Sequence, residues 1–400
     1  MKEAKIILFL SLLTILIISS IPSLNASETD YVLEGNETLQ ITNDVFTWNV
    51  SITLKDNAEL ILDNGTLQIV EDSHQQRNRI VLNDHSKIIL KNSSTLAYIG
   101  SHSSSAIPIS LTDNSCLEVS DSTINVGVAA GDNSEVQLKK SRLTRGLGVN
   151  GFGKAVIENS SIRFFGVGDR ANVTVSNSTI AALEAVGNSE FRAFDSSLAN
   201  DQTWHSPSFY TAENSSIWMT NCRLGFNNRQ ELTFDGASTV WFIDCDLGEG
   251  NFNVQGFGAK VFIAYSLYVD VEDENGVPLE DVLVSVYYDH DNTLAEQAQL
   301  DSDGEVKLVL PQWIVQKFGG TYTGEYKIVT NLDNGFNETD VTLDSSKKIV
   351  ISQFTSYVSD DESISDDKSE LTTLEIILLL TVITLFSVIV ALIYFIKRRV

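Results

Sequence analysis

The chain has 400 residues, 43% of them apolar, enough for a sizeable core and for two or three domains. Its formal net charge of −26 argues against a nucleic-acid partner, which would call for a basic surface. Three cysteines, Cys116, Cys222 and Cys245, supply no disulfide framework.

Residues 1–26 read as a secretory signal: Lys2 and Lys5, an apolar run from Ile6 to Ile18, then the small-residue site Ser23-Leu24-Asn25-Ala26. Residues 27–56, with Val45-Phe46-Thr47-Trp48 and Ile52-Thr53-Leu54, are expected to form an N-terminal cap over the first open edge of a repeat array.

From 57 to 265 one phrase recurs: apolar, any, apolar, any, Asn or Asp, Ser, any, apolar. Leu117-Glu-Val119-Ser-Asp121-Ser122-Thr-Ile124 and Val173-Thr-Val175-Ser-Asn177-Ser178-Thr-Ile180 are examples. From Ser122 to Ser196 the serines step by 19, 19, 18 and 18 residues, the period of a solenoid whose coils bury their inner faces only by stacking. The apolar period is two, so each phrase is a half-buried strand. Asn and Asp tolerate the left-handed conformation and turn the chain sharply. The next serine should face inward and hydrogen-bond along the axis. Gly127, Gly146, Gly166 and Gly187 are expected to serve the turns on the far side of the coils.

The phrase drifts outward through Leu60-Ile-Leu62-Asp-Asn64-Gly65 and Ile88-Ile-Leu90-Lys-Asn92-Ser93, and closes near Val261–Ser266. Cys222 and Cys245 replace the ladder serine in adjacent coils, either as two buried thiols or as a disulfide between them. The pattern over about residues 57–265 resembles the right-handed parallel β-helix of pectin-lyase-like proteins.

Residues 266–354 change grammar, with alternating strands either side of Asn275-Gly276. This stretch resembles the carboxypeptidase-regulatory-like domain, a small transthyretin-like β-sandwich. It departs from that family between Pro311 and Gly324, where a segment carrying Trp313, Phe318 and Tyr322 is inserted. Loops holding Asp289, Asp291, Asp301 and Asp303 offer oxygens to a calcium ion, with solvated turns as the plainer reading; no other cofactor is called for.

An acidic linker, 355–371, leads to an expected transmembrane helix, 372–396. Within it Ile376–Ile396 gives 21 uncharged residues, and Lys397-Arg398-Arg399 begins a cytoplasmic tail, 397–400. The expected protein is all-β: a right-handed parallel β-helix, a small transthyretin-like β-sandwich and one C-terminal transmembrane helix. It would sit in the cell membrane as a single-pass type I protein with its bulk outside.

No Walker loop, His-Glu-x-x-His, Cys-x-x-Cys or Gly-x-Ser-x-Gly occurs. The resemblance to the β-helix lyases implies acidic calcium ligands with an Arg or Lys base, and a glycosidase would need two facing carboxylates. The excursion Asn200–Tyr210 is the most suggestive stretch. Trp204 and Tyr210 are candidate sugar-contacting rings there, and Asp201 and His205 are candidate catalytic groups if the protein is an enzyme. Arg142, Arg145 and Arg163 fall in adjacent coils and would form either a basic stripe or ordinary surface pairs.

Ten N-x-S/T sequons are present. Asn36, Asn49 and Asn337 are the leading glycosylation candidates. Asn64, Asn92, Asn159 and Asn177 are generated by the repeat itself and are excluded if their side chains face the ladder. The leading expectation is a non-enzymatic surface rod for structure, adhesion or glycan binding. The alternative is a membrane-anchored polysaccharide lyase or glycoside hydrolase using the β-helix flank. A third reading is an accessory subunit that docks through residues 266–354.

Overall fold

The computed structural model describes residues 30–70, 78–99, 109–199, 209–225, 231–249, 251–332 and 335–352. The described residues up to Leu332, and those from Phe336, form one compact unit. Every described regular element is a strand, and long parallel stacks make a β-helix-like solenoid. The expected signal segment and membrane span lie outside the described residues.

Each coil lays one strand in a 14-stranded sheet and its remaining strands in a 17-stranded sheet. We call the first the continuous sheet, because every coil contributes one uninterrupted strand to it. We call the second the interrupted sheet. Alternation sends every second side chain inward. In the continuous sheet Leu39, Leu60 and Ile88 start one buried column that runs through Phe191 and Ile217 to Val261. In the interrupted sheet Ile52, Ile80, Ile109 and Val128 stack in the same way. Both sets belong to one apolar core. Its columns are not uniform: Phe191 is followed by small Ala193, and Phe165 meets the Phe191 ring edge to face at 5.9 Å.

The turn out of the continuous sheet is made as its residue types require. Asn64, Asp121, Asn159, Asn177, Asp195 and Asn221 have φ between 48° and 53°. Lys140 takes φ 48° at the same place without the local hydrogen-bonding help an Asn side chain gives. Behind this turn runs a serine ladder. The Ser141 N–H donates to Ser160 Oγ at 3.0 Å, and the Ser160 N–H donates to Ser178 Oγ at 2.9 Å. Each hydroxyl in turn donates to a carbonyl of its own coil, as Ser160 Oγ does to Glu158 O at 2.7 Å. The ladder therefore satisfies buried amides and hydroxyls together.

Two sequence expectations shift by a residue or more. In the coil of Asn92 the ladder position belongs to buried Ser94, because Asn92 and Ser93 both adopt positive φ and add one residue to the turn. The second turn, back into the continuous sheet, uses Gly187 as expected, but Gly146 and Gly166 lie within strands Arg142–Val149 and Ser161–Val167. Gly35, Gly151 and Gly236 serve it in three more coils, and aspartates do that work in five: Asp56, Asp84, Asp113, Asp132 and Asp169 have φ between 50° and 58°. Their carboxylates accept from the preceding turn's backbone, as when the Asp84 N–H donates to Asp113 Oδ2 at 3.2 Å. Small residues such as Ser86, Ser115 and Ser134 are buried behind them.

The described part of the expected cap is itself laid on the stack. Tyr31–Leu33 pairs in parallel with Ile52–Leu54, and Thr38–Thr42 pairs with Glu59–Asp63. Leu39-Gln-Ile41-Thr-Asn43 is the repeat phrase again, with Asn43 at φ 53°. Aromatic rings cover this end, with Trp48 4.9 Å from Tyr31 and 6.3 Å from Phe46.

At the other end strand Lys260–Glu272 is both the last rung of the solenoid and the first strand of the C-terminal region. Glu305–Gln316 runs antiparallel along it, and Gly319–Tyr322 pairs beyond. The segment read as an insert thus continues the sheet over the last coil, and Val315 packs on the solenoid core. A second core gathers Leu267, Val269, Val284, Val286, Leu310 and Ile328 between this sheet and a four-stranded one. Asp244 of the last turn ties the two cores. Its carboxylate accepts from Ser266 N–H at 2.7 Å, Ser266 Oγ at 2.5 Å and Ser346 Oγ at 2.6 Å.

Candidate functional site on the interrupted sheet

The register shows where the chain makes room for function. In the interrupted sheet one inward column contains Leu67, Leu96, Ile124, Leu143, Ile162, Ile180, Leu198 and Leu224. A second contains Ile80, Ile109, Val128, Leu147, Phe165, Leu183, Phe209 and Leu232. Subtracting the numbers coil by coil gives separations of 13, 13, 4, 4, 3, 3, 11 and 8 residues. Every long spacer of the repeat therefore falls at one junction on one sheet. Insertions collected on one face of a solenoid are the usual mark of its binding side.

Between the two groups of excursions lie the short-junction coils, and the outward residues of these coils and of the two that follow form a floor. Ala129, Gly148, Gly166, Glu184, Tyr210 and Thr233 are successive register partners, so they share one outward column. The column begins as a trough of small residues, reaches Glu184 and the half-buried Tyr210, and passes on to the buried Thr233. Burial raises the pKa of the Tyr210 phenol, and the carboxylates of Asp235, Glu184 and Glu213 push it the same way. Tyr210 is consequently a neutral hydroxyl at ordinary pH, able to donate a hydrogen bond and to offer its ring. Arg145 and Arg163 lie beside this floor in strands Arg142–Val149 and Ser161–Val167.

Of the residues singled out in the sequence, Tyr210 stands on this floor, while Asp201, Trp204 and His205 lie outside the described residues. Their excursion departs from Ser197–Ala199 and returns at Phe209, immediately before Tyr210. Asp246 pairs with exposed Arg223 at 3.5 Å. Glu184 was not singled out; only the register from Leu183 to Phe209 places it beside Tyr210.

Two other features are structural. Trp241 and Phe262 stack on the outside of the continuous sheet, 4.1 Å apart and 6° from parallel, so each ring turns a face to the other. Arg192 lies over Trp218 at 5.3 Å. In the C-terminal region Asp301 Oδ1 accepts the Asp303 and Glu305 amides at 3.0 and 3.1 Å, and Asp291 Oδ1 accepts from Thr293 N–H at 2.9 Å. These aspartates organise their own turns. Among the described residues no group of three or more His, Cys, Asp or Glu is placed to hold a metal ion.

Cys222 and Cys245 occupy the serine ladder as free thiols, the Cys222 N–H donating to Cys245 Sγ at 3.4 Å. Contact with Cys222, together with burial, pushes the Cys245 thiol up. Asn36 and Asn49 are exposed, and Asn337 is half-buried in strand Gly335–Thr342. Asn64, Asn92, Asn159 and Asn177 do not face the ladder. The left-handed turn directs them outward, and all four are exposed.

A scan against protein-family models and a search of curated proteins find no match to this chain.

Proposed function

We propose that the protein is a membrane-anchored extracellular solenoid that binds glycan on the outer face of its interrupted sheet, serving adhesion or envelope structure. In this reading the coils are a right-handed parallel β-helix of pectin-lyase-like type, residues 266–354 a carboxypeptidase-regulatory-like β-sandwich, and 372–396 the membrane anchor. The observation that carries the reading is the collection of every long excursion at one junction of one sheet, flanking a floor that includes Tyr210. A trough of small side chains admits an extended chain molecule. A phenol ring and hydroxyl at its end suit the apolar face and hydroxyls of a sugar.

The test uses the full chain in detergent against a panel of anionic and neutral polysaccharides, with and without calcium, measuring binding and bond cleavage together. Tyr210→Ala should weaken binding roughly tenfold, the equivalent of about 1.4 kcal/mol. Binding untouched by Tyr210→Ala and Glu184→Gln would place the ligand elsewhere or remove it. Cleavage abolished by Asp201→Ala or His205→Ala would replace this reading with the enzymatic one. The carboxylates around Tyr210 are the reason for asking.

A further inference from the structure

We propose that the edge of the solenoid where the chain leaves the continuous sheet carries N-linked glycans, with Asn159 and Asn177 as adjacent attachment points. The proposal rests on the reading that the chain lies outside the membrane.

Three observations converge on this edge. Asn64, Asn92, Asn159 and Asn177 each begin an N-x-S/T sequon, and each occupies the left-handed turn of its coil with φ between 48° and 57°. They therefore form one axial row, and Asn159 and Asn177 stand on neighbouring coils about 4.8 Å apart. All four side chains are exposed, and at Asn159 and Asn177 the buried hydroxyl ladder lies one residue further along, at Ser160 and Ser178, so a glycan there would displace nothing from the core. The amides also differ. Asn64 Nδ2 donates to Asn43 Oδ1 and Asn92 Nδ2 to Asp63 Oδ1, both at 2.7 Å. Among the described residues Asn159 and Asn177 make no such bond, which leaves both of their amide protons uncommitted.

The turn itself does not require asparagine, since Asp121, Asp195 and Asp244 adopt the same φ in other coils. The co-reactant is an oligosaccharide linked to a polyprenyl phosphate or pyrophosphate. Nδ2 bonds to the anomeric carbon as that carbon's bond to the lipid phosphate breaks. The phosphate leaves with the electron pair, the amide gives up one proton, and nothing is oxidised or reduced. Ser161 and Thr179, the hydroxyl residues of the two sequons, lie in strands, so transfer would precede closure of their coils.

The experiment maps peptides of the full chain purified from its own membranes, by mass spectrometry before and after glycan release. Expected is a glycan mass on both the Asn159 and Asn177 peptides. The paired variant Asn159→Asp with Asn177→Asp should lose two glycan increments and keep its melting temperature, because aspartate fills this turn elsewhere. Glycans at Asn36, Asn49 or Asn337 with Asn159 and Asn177 bare would overturn the proposal while leaving the outside location intact. So would bare sequons throughout on a protein that external protease removes from whole cells. Bare sequons on a protein that protease cannot reach would sink the location and the proposal together.

Discussion

The continuous and interrupted sheets are woven from the same coils, yet only one accepts insertions. Each coil gives the continuous sheet one strand in unbroken register from Thr38 to Ala264. The other sheet is opened at a single junction by as many as 13 residues between its two inward columns. The reason is where the backbone groups go. A strand paired on both sides cannot lose a rung without orphaning amides above and below it. A junction that changes direction between two short strands has few ladder bonds to lose. The continuous sheet is scaffold, and the interrupted one is where the molecule can vary.

This contrast can be broken by substitution. Ile157→Ala, in the buried column of the continuous sheet, should cost about 2–5 kcal/mol in urea unfolding. Excising residues 201–208 reduces the separation of Leu198 and Phe209 from 11 to 3 residues, the value in the two preceding coils, since 11 − 8 = 3. That variant should unfold within about 1 kcal/mol of the parent, as surface changes away from packed features do. A larger loss than Ile157→Ala causes would invert the assignment of scaffold and variable face.

The ladder behind the first turn sharpens the comparison. Ser160→Val strips the acceptor from the Ser141 amide and should cost about 1–3 kcal/mol, whereas Cys222→Ser restores the ladder's own residue type and should be neutral or stabilising. Equal losses from the two would mean the ladder is packing alone. A smaller gain is expected at Lys140, whose φ of 48° suits asparagine better. Lys140→Asn should raise stability by ~0.5–1 kcal/mol, read as a higher urea midpoint. An effect confined to alkaline pH is expected at Cys116 on the outside of the continuous sheet. Burial, reinforced by Glu118, pushes its thiol from 9.0 to about 11. The folded state therefore holds this proton more tightly than the unfolded one. The contribution to stability is complete below 9.0 and is lost as pH rises to about 11. The rate of Cys116 alkylation should rise with a midpoint near 11; a midpoint near 9.0 would show an open thiol.

Much of the solenoid was legible in the residue order because the signal is local. Period-two alternation, a left-handed Asn or Asp and a small inward hydroxyl are each readable within one coil, and repetition multiplies them. The second turn was less legible. Aspartate shares there the role glycine was expected to fill, and Asp-Asn-Ser at 113–115 or 132–134 looks like any polar loop until its carboxylate is seen accepting from the adjacent coil. The candidate site was half legible: Tyr210 has a recognisable side chain, but Glu184 becomes its neighbour only through the register re-established after an excursion.

The amino-acid order alone determined that coils form, how long each is and which side chains turn inward, because strand periodicity and turn chemistry act over a few residues. Tertiary structure decided what those coils have in common. Placing Asn159 and Asn177 outward on one edge, gathering the excursions at one junction and carrying strand Lys260–Glu272 from one core into the next all depend on stacking. Stacking joins residues 18 to 29 positions apart through the alignment of whole coils, which no short stretch of sequence contains.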